Sequence, residues 1–208
     1  MLKNLRVPRP RFITPGYNYH RVMKLRKTGV VLVLLLIVGV ASGCISNSNG
    51  PTATQTTTSS IPDYVVVNGT KIYLDEIHFY MYGMKTCPHC QNMKKLIPET
   101  YGEDSLTYYE LVDNEENTKL FQQIYQLTGI QGVPAIAITY NGTLYAIIEG
   151  EFNVTATPRI IQAAMSDNGV ILFVGGQAYI LPRDKEDSAK VIDELYVLFV
   201  EHKMPDSS

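Results

Sequence analysis

Hydrophobic and polar positions divide the chain into three regimes. Residues 30–40 are apolar without a break apart from Gly39. Residues 45–61 are dominated by Ser, Thr and Asn, with Pro51 among them and almost no apolar side chain. From residue 64 onward, spacings of two alternate with spacings of three and four, as in strands and amphipathic helices. Residues 64–74 predict two short strands about Asn68-Gly69, a dipeptide that tolerates the positive φ angles of a two-residue hairpin. Residues 77–82 predict a strand rich in aromatic and β-branched side chains. A helix follows over 88–101, with Pro88 in its first turn and Met93, Leu96 and Ile97 turned inward, and Pro98 is expected to kink or shorten it. A strand over 106–112 leads to a helix over 115–127 with Leu120, Ile124 and Leu127 inward and Gly129 beyond its end. Strands over 135–140 and 144–148 turn at Asn141-Gly142, and a helix over 157–166 faces Ile160, Ile161 and Ala164 inward.

The order β-α-β-α-β-β-α predicts an α/β fold with a mixed central β-sheet and helices on both faces. The first half supplies parallel crossovers and the second an antiparallel hairpin. A further apolar hairpin over 170–181, turning at Gly175-Gly176, and a helix near 187–201 burying Ile192, Leu195 and Phe199 extend the same domain. The expected divisions are a leader over 1–43, a tether over 44–62 and one folded domain over 63–208 with its core at about 75–168.

Charge sharpens this division. The net charge of −2 over 208 residues conceals eight basic side chains and no acid within residues 1–28. All twenty acids lie after position 44, against ten basic residues. A folded part this acidic argues against a nucleic-acid partner, because phosphate binding needs clustered Lys and Arg. The basic block belongs to the leader, where positive charge stays on the cytoplasmic side of a membrane.

Lys24, Arg26 and Lys27 precede the apolar run, and Ala41-Ser42-Gly43-Cys44 follows it. A basic segment, a short apolar run and small residues before a break describe an export signal. A small residue directly before Cys44 resembles the lipobox of lipoprotein signal peptides, which implies that Cys44 becomes the lipid-carrying amino terminus. Position 41 departs from that pattern in holding Ala rather than Leu. An uncleaved anchor helix over about 29–45 and simple cleavage are the alternatives, the anchor being short against the ~20 residues of a usual span. All three place the remainder outside the cytoplasm, and a lipid or an anchor helix would hold it at the cell membrane. A start at Met23 would give the more usual signal, and that start is the expected one. Asn68, Asn141 and Asn153 each open an Asn-x-Thr sequon, permitted glycan sites in an exported protein, although Asn68-Gly69 and Asn141-Gly142 also serve as turns.

The chain has three cysteines, Cys44, Cys87 and Cys90. With Cys44 lipidated, the domain keeps one pair two residues apart. A disulfide there closes a very small loop and constrains little unfolded-chain entropy, so it suits a reversible redox couple better than a staple. Cys87 follows a strand and caps a helix, where unpaired N–H groups and the helix dipole favour a thiolate. His89 offers a second donor or positive charge, and the thiolate is the nucleophile. Cys90, one turn in, is placed to resolve a mixed disulfide.

Strand, Cys87-Pro88-His89-Cys90, helix, strand, helix, Gly132-Val133-Pro134, hairpin, helix resembles the thioredoxin superfamily. The resemblance implies a thioredoxin-like fold over roughly 75–168, a cis Pro134 lying against the two sulfurs, and a Val133 that offers its backbone to the substrate chain. Pro88-His89 is similar to the dipeptide of DsbA, the periplasmic disulfide oxidant, while Tyr82-Gly83-Met84-Lys85-Thr86 looks more like glutaredoxins. The spacing from Cys90 to Pro134 leaves no space for the inserted helical domain of DsbA. Thioredoxins carry a buried acid on the strand before the motif, and here that position is Met81, with Asp75 and Glu76 earlier.

The reading that follows is a protein thiol–disulfide oxidoreductase with catalytic Cys87, Cys90, His89 and Pro88 and substrate-binding Val133 and Pro134. It would need no cofactor beyond its own disulfide and no metal. Its partners would be exported cysteine-containing proteins and a membrane redox partner. A stabilised Cys87 thiolate leans the chemistry to an oxidase, with a reductase or isomerase and a non-catalytic binding module as alternatives. Half of a zinc site would also read Cys-x-x-Cys, but zinc takes four ligands and His20, His78, His89 and His202 supply no second pair.

Overall fold

A computed structural model describes residues 63–206. Cys44, the apolar run and the tether lie outside the described residues. Among those described, no helix is long and apolar enough to cross a membrane.

Strands β1 (Tyr64–Val67) and β2 (Thr70–Tyr73) form a separate two-stranded sheet. Asn68 and Gly69, at φ 47° and 82°, make the left-handed turn between them. The central sheet has six strands in the order β4-β3-β5-β6-β7-β8. These are β3 (Ile77–Gly83), β4 (Leu106–Glu110), β5 (Ala135–Tyr140), β6 (Thr143–Glu149), β7 (Gly169–Val174) and β8 (Gln177–Pro182). β3 runs parallel to β4 and β6 parallel to β7, while the β3–β5, β5–β6 and β7–β8 pairs are antiparallel. The hairpin expected at 170–181 therefore continues the central sheet through the β6–β7 pairing.

Four helices cover this sheet: α1 (Pro88–Tyr101), α2 (Glu115–Thr128), α3 (Thr157–Ser166) and α4 (Glu186–Tyr196). Alternate positions of β3 divide the core. Ile77, Phe79 and Met81 face α1, α3 and the small hairpin, packing with Met93, Ile97, Ile161 and Ile72. Tyr82 faces α2 and α4, with Leu120, Ile124, Leu195 and Phe199. Coverage on both faces explains why β5 is almost continuously apolar and buried. In β6 the register shifts opposite Ile138 and Thr139, so that Ala146 pairs with Ile138 and Leu144 with Thr139. The bulge at Tyr145 turns Leu144 to the same side as Ile147, out of strict alternation.

Two local expectations are corrected and one is refined. Leu96 is 37% exposed, because the buried stripe of α1 is Cys90, Met93, Ile97 and Tyr101, one position round from Leu96. Pro98 neither shortens nor ends α1. The helix continues to buried Tyr101, whose hydroxyl donates to the Val154 carbonyl at 2.6 Å, and Gly102 N–H closes the end on Pro98 O. The last helix is α-helical only to Tyr196, and residues Val197–Glu201 form a wider π turn.

Candidate active site

The site lies where β3 ends and α1 begins. Met84 to Cys87 form a tight turn closed by Cys87 N–H on Met84 O at 3.0 Å, and the Gln91 side chain braces it by donating to Lys85 O at 2.7 Å. Cys87 has extended backbone angles and is the N-cap of α1, with Pro88 at the first helical position. Its sulfur accepts the Cys90 N–H at 3.2 Å, the contact expected of an oxygen in an ordinary cap. The Cys87 thiol is half-buried and also donates to the Val133 carbonyl at 3.7 Å. The sequence-separated Val133 and the leading cysteine are thus brought together. The Val133–Pro134 peptide is cis.

Cys90 is fully buried and, like Cys87, a free thiol here. Burial pushes its thiol up to about 12. Its hydrogen bond with Cys87 and the nearby charges of Cys87 and Glu110 push the same way, against a backbone hydrogen bond from Met84. Space around the sulfur is tight: a Cβ on Gly83 would stand 2.9 Å from the Tyr108 ring and 3.1 Å from Cys90 Sγ.

His89 does not sit against a sulfur. Its Nδ1 lies 2.7 Å from Glu151 Oε2, which also receives the Asn92 amide at 3.5 Å. The hydrogen bond from His89 holds the Glu151 carboxyl below its ordinary value. The positive charge expected to act on Cys87 thus has a carboxylate of its own.

Two more carboxylates shape the site and escaped the sequence reading. Glu110, at the end of β4, accepts from Lys85 N–H, Val112 N–H and the Tyr108 hydroxyl. Burial raises its carboxyl, but these donors and the Lys85 charge outweigh that and leave it lowered. Met81 is fully buried, and the charge of Glu110, on the neighbouring strand, is the smallest of the influences that raise the Cys90 thiol. Glu149, at the end of β6, accepts from Gln131 and Gly132 N–H through Oε1 at 2.9 and 2.7 Å, and from Gly175 N–H through Oε2 at 2.9 Å. Glu149 has no local signature, since it works through backbone groups 17 to 26 positions away, and Glu110 joins two near neighbours to Lys85, 25 positions away.

Residues 79–144, from the cysteine-bearing strand into β6, match the Glutaredoxin family model. The mixed sheet flanked by helices is a thioredoxin-like fold. Among solved structures, a thioredoxin from Malassezia sympodialis is similar to this thioredoxin-like chain at 19% identity, over 43% of this chain and 76% of that one, with a TM-score of 0.27. No curated protein sequence matches the chain significantly. The matched segment of the thioredoxin-like domain holds Cys87, Cys90, Val133 and Pro134 and stops short of Glu149 and Glu151. Of the other expected sites, Asn68 donates from its side chain to Gln162, Asn141 takes φ 47° in the β5–β6 turn, and Asn153 caps Thr155. His78 Nε2 lies 2.8 Å from Thr107 Oγ1. Among the described residues, no three His, Cys, Asp or Glu side chains gather in a way that could hold a metal ion.

Proposed function

We propose that this chain is a membrane-anchored, extracytoplasmic thiol–disulfide oxidoreductase that acts on protein cysteines through Cys87 and Cys90, chiefly as an oxidase. The observation that carries the reading is the Cys87 sulfur, held between the Cys90 N–H and the Val133 carbonyl beside the cis Val133–Pro134 peptide. In the oxidising direction a substrate thiolate attacks Cys87 Sγ. The Cys87–Cys90 bond breaks, and Cys90 leaves and takes a proton. A second substrate thiolate then displaces Cys87 as a thiolate and closes the substrate disulfide, so two electrons pass from substrate to the pair, and a membrane redox partner takes them and returns the pair to disulfide. His89 and Pro88 would shape the helix end that presents the Cys87 sulfur. Anchoring rests on the apolar run and Cys44 of the leader.

A reductase is the second reading, and one contact favours it. The His89 ring, which the oxidase reading would use as a donor or charge towards reduced Cys87, is bonded to Glu151 at 2.7 Å instead.

The reduction potential tests both. The full chain in detergent is equilibrated in graded glutathione and dithiothreitol buffers, and free thiols are counted by alkylation. A potential above about −180 mV marks an oxidase or isomerase, and one below about −230 mV a reductase. Thiols that respond at no poise, or turnover of a protein disulfide that survives Cys87→Ser, would defeat the redox reading in favour of a binding module.

A further inference from the structure

Glu149 gathers three backbone N–H groups from two separate loops onto one carboxylate. Gln131 and Gly132 belong to the segment that leads into Val133, and Gly175 to the β7–β8 turn. Gly132 is a close fit, since a Cβ there would stand 3.2 Å from Glu149 Oε1. Two peptide groups further on is the Val133 carbonyl that meets the Cys87 thiol. Gly150 N–H, adjacent to Glu149, donates to Pro134 O at 2.7 Å and fixes the other side of the same loop. Gln131 also lines a shallow hollow of about 280 Å³ with Phe121, Tyr125 and Ile130, so this segment forms both the edge near the sulfur and the rim of an apolar recess. Burial alone would raise the Glu149 carboxyl, but the three N–H donors outweigh it and leave it lowered.

We infer that Glu149 is a positioning residue for the substrate chain, holding the Gln131–Val133 backbone at the Cys87 sulfur and making the appended β7–β8 turn a structural part of the active site. The inference rests on the oxidoreductase reading. It specifies a task outside the segment shared with glutaredoxins: presenting an ordered backbone edge to an extended cysteine-containing peptide. A small dithiol has no peptide chain to place and does not need that edge.

The test compares Glu149→Ala, Glu149→Gln and the unaltered full chain. The Gln side chain keeps one carbonyl oxygen for the Gln131 and Gly132 donors and turns its NH2 towards the Gly175 N–H, so it retains the loop clamp and loses the link to the turn. For a cysteine-peptide disulfide, KM in E149A is expected to rise about tenfold with kcat within about twofold, and E149Q to fall between E149A and the unaltered chain. The rate of reduction of the Cys87–Cys90 disulfide by dithiothreitol is expected to stay within about twofold in both. Amide hydrogen exchange of Gln131 and Gly132 should be slow in the unaltered chain and fast in E149A. An unchanged KM or unchanged exchange in E149A overturns the inference. Equal loss of peptide and dithiothreitol reactions in E149A overturns it too, because that marks a general structural role. A chain inert to every disulfide would defeat the redox reading, and exchange at Gln131 and Gly132 would still decide whether Glu149 holds the loop.

Discussion

Cys87 and Cys90 are two positions from a shared turn, yet they inhabit different surroundings. One sulfur caps a helix at a half-buried rim, and the other is closed in under Tyr108 and Gly83. Burial holds the Cys90 thiol at about 12, against an ordinary value of 9.0. A proton bound more tightly in the folded state stabilises that state fully below the unfolded value, and the benefit fades as pH climbs towards the folded value. Urea midpoints of the reduced chain and of Cys90→Ala should therefore keep a constant gap below about pH 9, and the gap should shift against the unaltered chain above it. A gap that does not move up to about pH 11 would contradict the buried-thiol account. The motif was legible because its chemistry depends on a spacing within one helical turn. The partner of His89 was not, because Glu151 lies 62 positions away and only the β5–β6 hairpin brings it across. The same distance problem concealed Glu149, whose donors lie 17 to 26 positions away.

The elements themselves were largely readable, since turns such as Asn141-Gly142 and alternating apolar runs are local signals. Errors arose where two local patterns fit equally well. Met93, Leu96 and Ile97 all satisfy helical spacing, and only the positions of Cys90 and Tyr101 decide that the stripe passes beside Leu96. The Tyr145 bulge has no sequence mark, because Leu144 and Ala146 would read as any other strand positions. Close approach at the end of β3 yields a sharper test. Gly83→Ala places a methyl group against Tyr108 and Cys90 Sγ, within a contact that real side chains avoid. It should lower stability by about 1–3 kcal/mol in denaturant titrations, as overpacking of a filled core does. A midpoint equal to that of the unaltered chain would mean that β4 yields at no cost.

At the level of the whole domain, the hairpin and helix after residue 168 complete the fold. β7 supplies a parallel neighbour to β6, while Val170, Leu172, Leu195 and Phe199 cover the face on which Tyr82 and Ile147 lie. A chain ended at Asn168 should lose its cooperative thermal transition and bind a hydrophobic dye, whereas a sharp transition would show the shorter core to be self-sufficient. The sequence allowed the extension to be assigned to the same domain, but the β6–β7 pairing is a long-range choice that periodicity does not encode. One hydrogen bond shows what that choice entails. The Tyr82 hydroxyl donates to the Leu198 carbonyl at 2.7 Å across 116 positions, joining the cysteine-bearing strand to the final turn. A polypeptide emerges from its point of synthesis amino end first. The strand leading to the cysteines therefore waits, with one side bare, until the segment around Leu198 has followed it, and closure of the domain comes after more than a hundred further residues.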